Sequence, residues 1–182
     1  SNWSNMTVEA WIKANPVQKA GYFPRIIGGF SHNDKSGFSM GLQPETGIYS
    51  EFYDQTNTHR YFGSSPNVKD DKWHHVASTY DGAALKIYID GELVSNNALA
   101  GLQIKKATVD IGIGNCWDGS FWHYFNGSID EVRIWNTART QAQLKEFAHK
   151  SLTGNESGLV SYYNLDKAEG LTFADIAGNF PN

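Results

Sequence analysis

Period-two alternation of apolar and polar side chains runs through most of the chain. In Met6-Thr7-Val8-Glu9-Ala10-Trp11-Ile12-Lys13, one face carries Met6, Val8, Ala10 and Ile12. The other carries Thr7, Glu9, Trp11 and Lys13, the pattern of a strand. After a loop from Ala14 to Pro24, short apolar runs over 25–30 and 37–42 flank the polar stretch Ser31-His32-Asn33-Asp34-Lys35-Ser36. Residues 47–53 and 58–62 read as a further strand pair, with Tyr49, Glu51 and Tyr53 alternating onto one face. The clearest stretch is 73–95. Three strands over 73–80, 85–89 and 92–95 are separated by Asp81-Gly82 and Asp90-Gly91, residue pairs suited to tight hairpin turns. Strands are also predicted over 107–114, 127–136 and 159–165. One short helix is expected near residues 141–150. There Thr140 and Gln143 fit a capping box, and Leu144, Phe147 and Ala148 fall on one side. About ten strands and a late helix in 182 residues indicate an all-β, two-sheet antiparallel β-sandwich, one domain spanning 1–182.

Composition agrees and adds a hint of chemistry. Glycine is 18 of 182 residues, aromatics are 14% and asparagine occurs 15 times. This mixture suits tight turns, and it also suits a surface that stacks rings on sugars and hydrogen-bonds their hydroxyls. A net charge of -4 argues against nucleic acid or an anionic membrane as partner. No apolar run is long enough to insert into a membrane as a helix. A single cysteine, Cys116, excludes an internal disulfide and a four-cysteine zinc site. The opening Ser1-Asn2-Trp3-Ser4-Asn5 and the ending Phe180-Pro181-Asn182 read as loops, which suggests a piece of a larger multidomain protein.

Several strings occur in an ordered set. They are Thr7-Val8-Glu9-Ala10-Trp11-Ile12, Lys72-Trp73-His74-His75-Val76-Ala77, Thr79-Tyr80-Asp81-Gly82, Leu85-Lys86-Ile87-Tyr88-Ile89-Asp90-Gly91, and Phe125-Asn126-Gly127-Ser128-Ile129-Asp130-Glu131-Val132-Arg133-Ile134-Trp135-Asn136. Together they resemble the LamG-like jelly roll of the concanavalin A-like lectin/glucanase superfamily, related to laminin G and pentraxin domains. The resemblance runs from about residue 6 to residue 165 and implies a jelly-roll sandwich. It also implies a binding or adhesion module of a secreted or cell-surface protein, with calcium as a common cofactor. The strand that usually precedes Thr7-Val8-Glu9 in this family is missing.

Catalysis has little support. The glucanase members of that superfamily carry carboxylates alternating along one strand, and no such string occurs here. The adjacent pairs Asp70-Asp71 and Asp130-Glu131 would point to opposite faces. Cys116 and His123 are close in sequence, but nothing marks a nucleophile.

For calcium, whose ligands are oxygens, two sites are candidates. One is the pair of rim loops holding Asn33 and Asp34, and Asn115 and Asp118. By strand order these fall near loops that carry calcium ligands in the related pentraxins. The other is Asp130. Parity puts it on a face with Val132 and Ile134, and the resemblance to glucanase relatives implies a structural calcium there. Asn and Asp as plain turn residues, and a carboxylate held by backbone N–H groups or Arg133, are the competing readings.

For a glycan, the aromatic loop with Trp117, Phe121, Trp122, His123 and Tyr124 supplies candidate platforms, Trp117 and Trp122 foremost. Tyr49 and Tyr53 are candidates on the neighbouring strand face. Arg60 and Arg25 are candidates to pair with acidic or sulfated sugars. The expected function is a non-catalytic, calcium-assisted, carbohydrate-binding module. An adhesion or spacer module contacting neighbouring domains is the main alternative, and a divergent glycosidase a lesser one. Four Asn-x-Ser/Thr sequons head at Asn2, Asn5, Asn126 and Asn155.

Overall fold

The computed structural model of the chain describes residues 2–19, 23–44, 47–116, 118, 123–166 and 174–178. Its strands are β1 (Met6–Ala14), β2 (Arg25–Ser31), β3 (Ser36–Leu42), β4 (Ile48–Tyr53), β5 (His59–Gly63), β6 (Trp73–Tyr80), β7 (Ala84–Ile89), β8 (Glu92–Ala98), β9 (Gly112–Ile113), β10 (Gly127–Trp135) and β11 (Leu159–Tyr163). They form two antiparallel sheets. The first has six strands in the order β11-β10-β1-β6-β7-β8, and the second has five in the order β5-β4-β3-β2-β9. This is the jelly-roll sandwich.

The alternation in β1 explains its central place. Met6, Val8, Ala10 and Ile12 are buried between the sheets with Val76, Leu85, Ile87, Val132 and Ile134 of the same sheet. Ile27, Phe38, Met40, Ile48 and Phe52 meet them from the opposite sheet. One polar contact crosses this core: Ser78 Oγ donates to Ser50 Oγ at 2.8 Å. The hairpin between β7 and β8 turns at Asp90 and Gly91, both at positive φ, as the residue pair predicts.

The polar face of β1 is covered. Helix α1 (Gln141–Phe147) lies over it, opened by the reciprocal Thr140–Gln143 capping box. Leu144 packs on Ala77 and Tyr88. Trp11 donates its indole N–H to Ala148 O at 2.6 Å. Beneath the helix Glu9 is fully buried and accepts from the Trp135 indole at 2.8 Å, with His75 at 3.1 Å and Arg133 at 3.8 Å. The outer face of the six-stranded sheet is therefore covered by the chain itself around β1, while Trp73 and Leu93 stay exposed toward its other end.

Two strand expectations change. The stretch 107–114 pairs only over Gly112–Ile113, against Gly28 and Ile27. Upstream, Thr108 is drawn to side chains instead, donating to Asp34 Oδ2 at 2.9 Å and sharing a 2.7 Å bond with Ser36 Oγ. In β10 the register against β1 slips between Glu9 and Trp11, where Glu131 takes φ 51°. Two residues, Glu131 and Val132, then oppose Ala10 alone, a β-bulge. Parity breaks there: Ile129, not Asp130, joins Val132 and Ile134 against the core.

Candidate functional site

The outward face of β2–β5 is built differently from the helix-covered face. Its floor is set by β3, where Phe38, Met40 and Leu42 enter the core and Gly37, Ser39 and Gly41 alternate outward. A Cβ at Gly41 would lie 2.7 Å from the Tyr49 ring. A Cβ at Gly28, on β2, would lie 2.4 Å from that of Ser39. These small residues make β3 a trough, over which side chains of β2 and β4 reach each other although the strands are not neighbours.

Arg25 crosses that trough. Its Nη2 donates to Glu51 Oε1 at 2.7 Å and its Nε donates to the Tyr49 hydroxyl at 3.2 Å. Ser39 Oγ donates to the same Glu51 oxygen at 2.7 Å. The other Glu51 oxygen lies 2.9 Å from His59 Nε2. Arg25 and Glu51 side chains are 3% and 6% exposed, so this is a buried ion pair. Burial alone would raise the Glu51 carboxyl, but the His59 bond, the Arg25 charge and the Ser39 bond outweigh it and hold Glu51 below the usual carboxylate range. Burial also works against the Arg25 charge, yet Tyr49 and Glu51 beside it keep the guanidinium firmly protonated.

Aromatic side chains stand at both ends of this polar floor. At one end Tyr61 stacks on Tyr49 with centroids 5.3 Å apart, and Phe23 meets both edge-on. Phe23 and Tyr61 are 37% and 38% exposed. At the other end Phe30 stacks on Tyr53 at 5.2 Å, with His32 and His59 packed around them. The Tyr53 hydroxyl lies 2.9 Å from His32 Nδ1. Tyr49 and Phe30 are fully buried and Tyr53 nearly so, so the ring surface this face offers a sugar is that of Phe23 and Tyr61 at one end and of His32 and His59 at the other.

The expected site residues divide. Tyr49 and Tyr53 lie on this face together with Glu51. Arg60 does not: it pairs in register with Phe52, on the opposite parity, and its guanidinium is held by Asp54 Oδ2 at 2.8 Å. Trp117 and Trp122, with Phe121, lie outside the described residues. Tyr124 is more than half exposed. His123 is buried, 2.7 Å through Nε2 from Asp118 Oδ2. Phe23, Ser39 and His32 escaped the sequence reading. The signal that marks their face is Gly37-x-Ser39-x-Gly41, a strand with a bare side.

The two rim loops do approach each other, since His32 N donates to Asp118 O at 2.9 Å. Their oxygens nevertheless serve other partners. Asp34 Oδ2 accepts from Thr108 Oγ1 at 2.9 Å and from Ser31 Oγ at 3.1 Å, while Asp118 faces His123. Asn33 is exposed in the β2–β3 turn and Asn115 is half-buried beside Gly112. Asp130 is displaced from the core face by the bulge, accepts from Glu131 N, and burial raises its carboxyl pKa. Among the described residues no three His, Cys, Asp or Glu side chains converge as a metal site.

An opening of about 1320 Å³ lies between the sheets beside β9 and β10. Its deep walls are Phe38, Ile113, Ile129, Ile134 and Val160. Its lining also includes Lys105, Lys106, Thr108, Asp110 and Ser161, with Thr108 bonded to Asp34 and Ser36.

A family profile described as the concanavalin A-like lectin/glucanases superfamily matches residues 2–145. The chain belongs to this superfamily. Among curated relatives, mouse pappalysin-1 is 27% identical over 160 residues, which are 76% of this chain and 9% of that protein. The rat sushi, von Willebrand factor type A, EGF and pentraxin domain-containing protein 1 is 33% identical over 93 residues, 46% of this chain and 3% of that protein. The chain therefore spans less than a tenth of either relative.

Solved structures share this superfamily fold. A candidate carbohydrate-binding protein of Bacteroides ovatus superposes with a TM-score of 0.79 at 23% identity, over 98% of this chain and 51% of that one. The CBM40 module of a Ruminococcus gnavus sialidase, bound to α2,3-sialyllactose, gives 0.65 at 14% identity, over 80% and 83%. Domain 4 of a Geobacillus stearothermophilus GH43 arabinanase, in complex with arabinotriose, gives 0.58 at 19%, over 82% and 68%.

Proposed function

We propose that the chain is a non-catalytic carbohydrate-binding module that takes a glycan on the outward face of β2–β5. The observation that carries this reading is the exposed pair Tyr61 and Phe23 at one end, backed by Tyr49, and the exposed His32 and His59 at the other, backed by Phe30 and Tyr53, over the buried Arg25–Glu51 pair. Fold relatives captured with sialyllactose and arabinotriose support the ligand class. A glycan ligand fits a secreted or cell-surface protein. No helix among the described residues is long and apolar enough to cross a membrane.

The same geometry argues against hydrolysis. Glycosidic cleavage uses two carboxyl groups, one of them protonated to donate to the leaving oxygen. Glu51 is the sole carboxylate in β2–β5, is held ionised, and has both oxygens engaged. It serves as a fixed anchor that orients Arg25 and His59.

Arg25, Glu51 and His59 orient one another through their own hydrogen bonds. On a glycan panel, binding to one polysaccharide class is expected, equal in calcium and in EDTA. Loss of binding in EDTA would shift the contact to an ion at the rim loops around Asp34 and Asp118. Failure to bind any glycan in either condition would contradict the reading and favour a protein-contacting module.

A further inference from the structure

The two sheets end unequally on one side of the sandwich. β4 lies over β6, with Ser50 bonded to Ser78 and the Phe52 ring 5.8 Å from that of Tyr80. Outward from this contact the six-stranded sheet continues through β1, β10 and β11. The facing sheet continues through β3, β2 and β9, and β9 is only two residues long. The opening of about 1320 Å³ lies between these ends, walled by Ile113 of β9, Ile129 of β10, and Val160 and Tyr163 of β11. All four are half-buried, so the opening is accessible from outside. The outer edge of β11 is already taken. Tyr162 N donates to Asp175 Oδ1 at 2.9 Å, and Tyr162 O accepts from Ile176 N at 2.8 Å. The edge beyond β9 is not taken. Ala107, Val109, Ile111 and Ile113 are half-buried, while Lys106, Thr108 and Asp110 between them are exposed, the alternation of a strand. Among the described residues, the backbone N–H and C=O groups of Val109, Asp110 and Ile111 have no hydrogen-bond partner.

We infer that this edge accepts a β-strand from a polypeptide outside these 182 residues, which extends the five-stranded sheet past β9 and closes the opening over β10 and β11. Unpaired N–H and C=O groups on a sheet edge are a template for a further strand, and main-chain bonds supply the affinity of strands added this way. The opening sets the chemistry of the incoming strand. Every second side chain is apolar, to cover Ile129, Val160 and Tyr163. On the outward side, Lys106 and Asp110 call for opposite charges, so an antiparallel partner carries an acid across from Lys106 and a base across from Asp110. The pattern is also self-complementary, since antiparallel pairing centred on Thr108 sets Lys106 against Asp110. A second copy is nevertheless the poorer occupant. Each copy's β11 extends beneath the position the other's edge would take, so two copies joined edge to edge compete for one space.

The test titrates the synthetic peptide acetyl-VKVTVEV-amide into the isotopically labelled chain. Laid antiparallel, its lysine meets Asp110 and its glutamate meets Lys106. The expected result is amide shifts and slowed hydrogen exchange at Val109, Asp110 and Ile111, with methyl shifts at Ile129 and Val160. Two versions of the peptide, N-methylated at its odd or at its even residues, keep every side chain. One row of N–H groups faces the chain and the other faces solvent. One version is therefore expected to bind about tenfold or more weakly, and the other to keep its affinity. In Asp110→Lys, a change at an exposed side chain, the parent peptide is expected to weaken, and a peptide with glutamate in place of its lysine to recover the loss. Equal affinity of the two methylated versions, no exchange protection at 109–111 under saturating peptide, or no binding at millimolar peptide would overturn the inference. Sedimentation of the chain alone tests the other occupant. A dimer that the peptide dissociates would overturn the assignment to an outside polypeptide in favour of a second copy.

Discussion

Replacing Glu51 by alanine is expected to lower the stability of the fold by about 3–5 kcal/mol, the usual cost of leaving one member of a buried ion pair uncompensated. The Arg25 guanidinium would stay beneath the face with Nη2 as well as Nη1 unpartnered, and Ser39 and His59 would lose their shared acceptor. Since domains of this kind are stable by only ~5–15 kcal/mol, the loss is a large fraction of the total. It corresponds to a fall in Tm on the order of 10 °C for a chain of this length. The double variant Arg25→Met with Glu51→Leu removes both charges and is expected to recover most of the loss, because the desolvation of two ions disappears with them. Urea unfolding of both variants decides the matter. A loss under about 1 kcal/mol for Glu51→Ala would mean that the pair is solvated like a surface salt bridge, and the floor of the face would not be the rigid element described here.

The second large effect concerns binding rather than stability. Tyr61→Ala is expected to weaken glycan binding by about thirtyfold, roughly 2 kcal/mol, the magnitude of a central aromatic contact. Tyr61 sits on the edge strand β5, more than a third exposed, and its ring lies over Tyr49. Its removal takes away a platform while leaving the Arg25–Glu51 floor and the core untouched. Its effect on stability is accordingly expected to stay within ~1 kcal/mol. Calorimetric titration paired with a thermal melt separates the two outcomes. Unchanged affinity in a folded Tyr61→Ala variant would show that the sugar does not reach this end of the face.

The strands were legible in the sequence because alternation has a physical cause, a sheet with one buried and one outward face. That is why Met6, Val8, Ala10 and Ile12 point where the pattern says, and why Asp90-Gly91 turns the chain. Legibility failed where the rule of two fails. The bulge at Glu131 inverts the parity of Asp130, and nothing in the residue types there announces a positive φ. The stretch 107–114 alternates well, yet Thr108 bonds to Asp34 and Ser36 and only two residues join the sheet.

The site was partly readable for the same reason. Tyr49, Glu51 and Tyr53 share a face by parity within one strand. The Arg25–Glu51 contact joins residues of two strands that are not neighbours, across Ser39 and Gly41. Recognising it requires the strand order, and the alternating small residues of β3 become meaningful only once that order is known. Arg60 is adjacent in sequence to His59 and Tyr61, but a one-residue offset sends its side chain to Asp54.

The most direct measurement is an NMR titration of the isotopically labelled chain with the tightest-binding glycan of the panel, following backbone amide shifts. The account predicts that the largest changes fall in four strands, at Arg25–Ser31, Ser36–Leu42, Ile48–Tyr53 and His59–Gly63, with the helix-covered face silent. Changes confined to the opening between the sheets around 104–114, or to the 141–150 region, with the four strands unmoved, would contradict it.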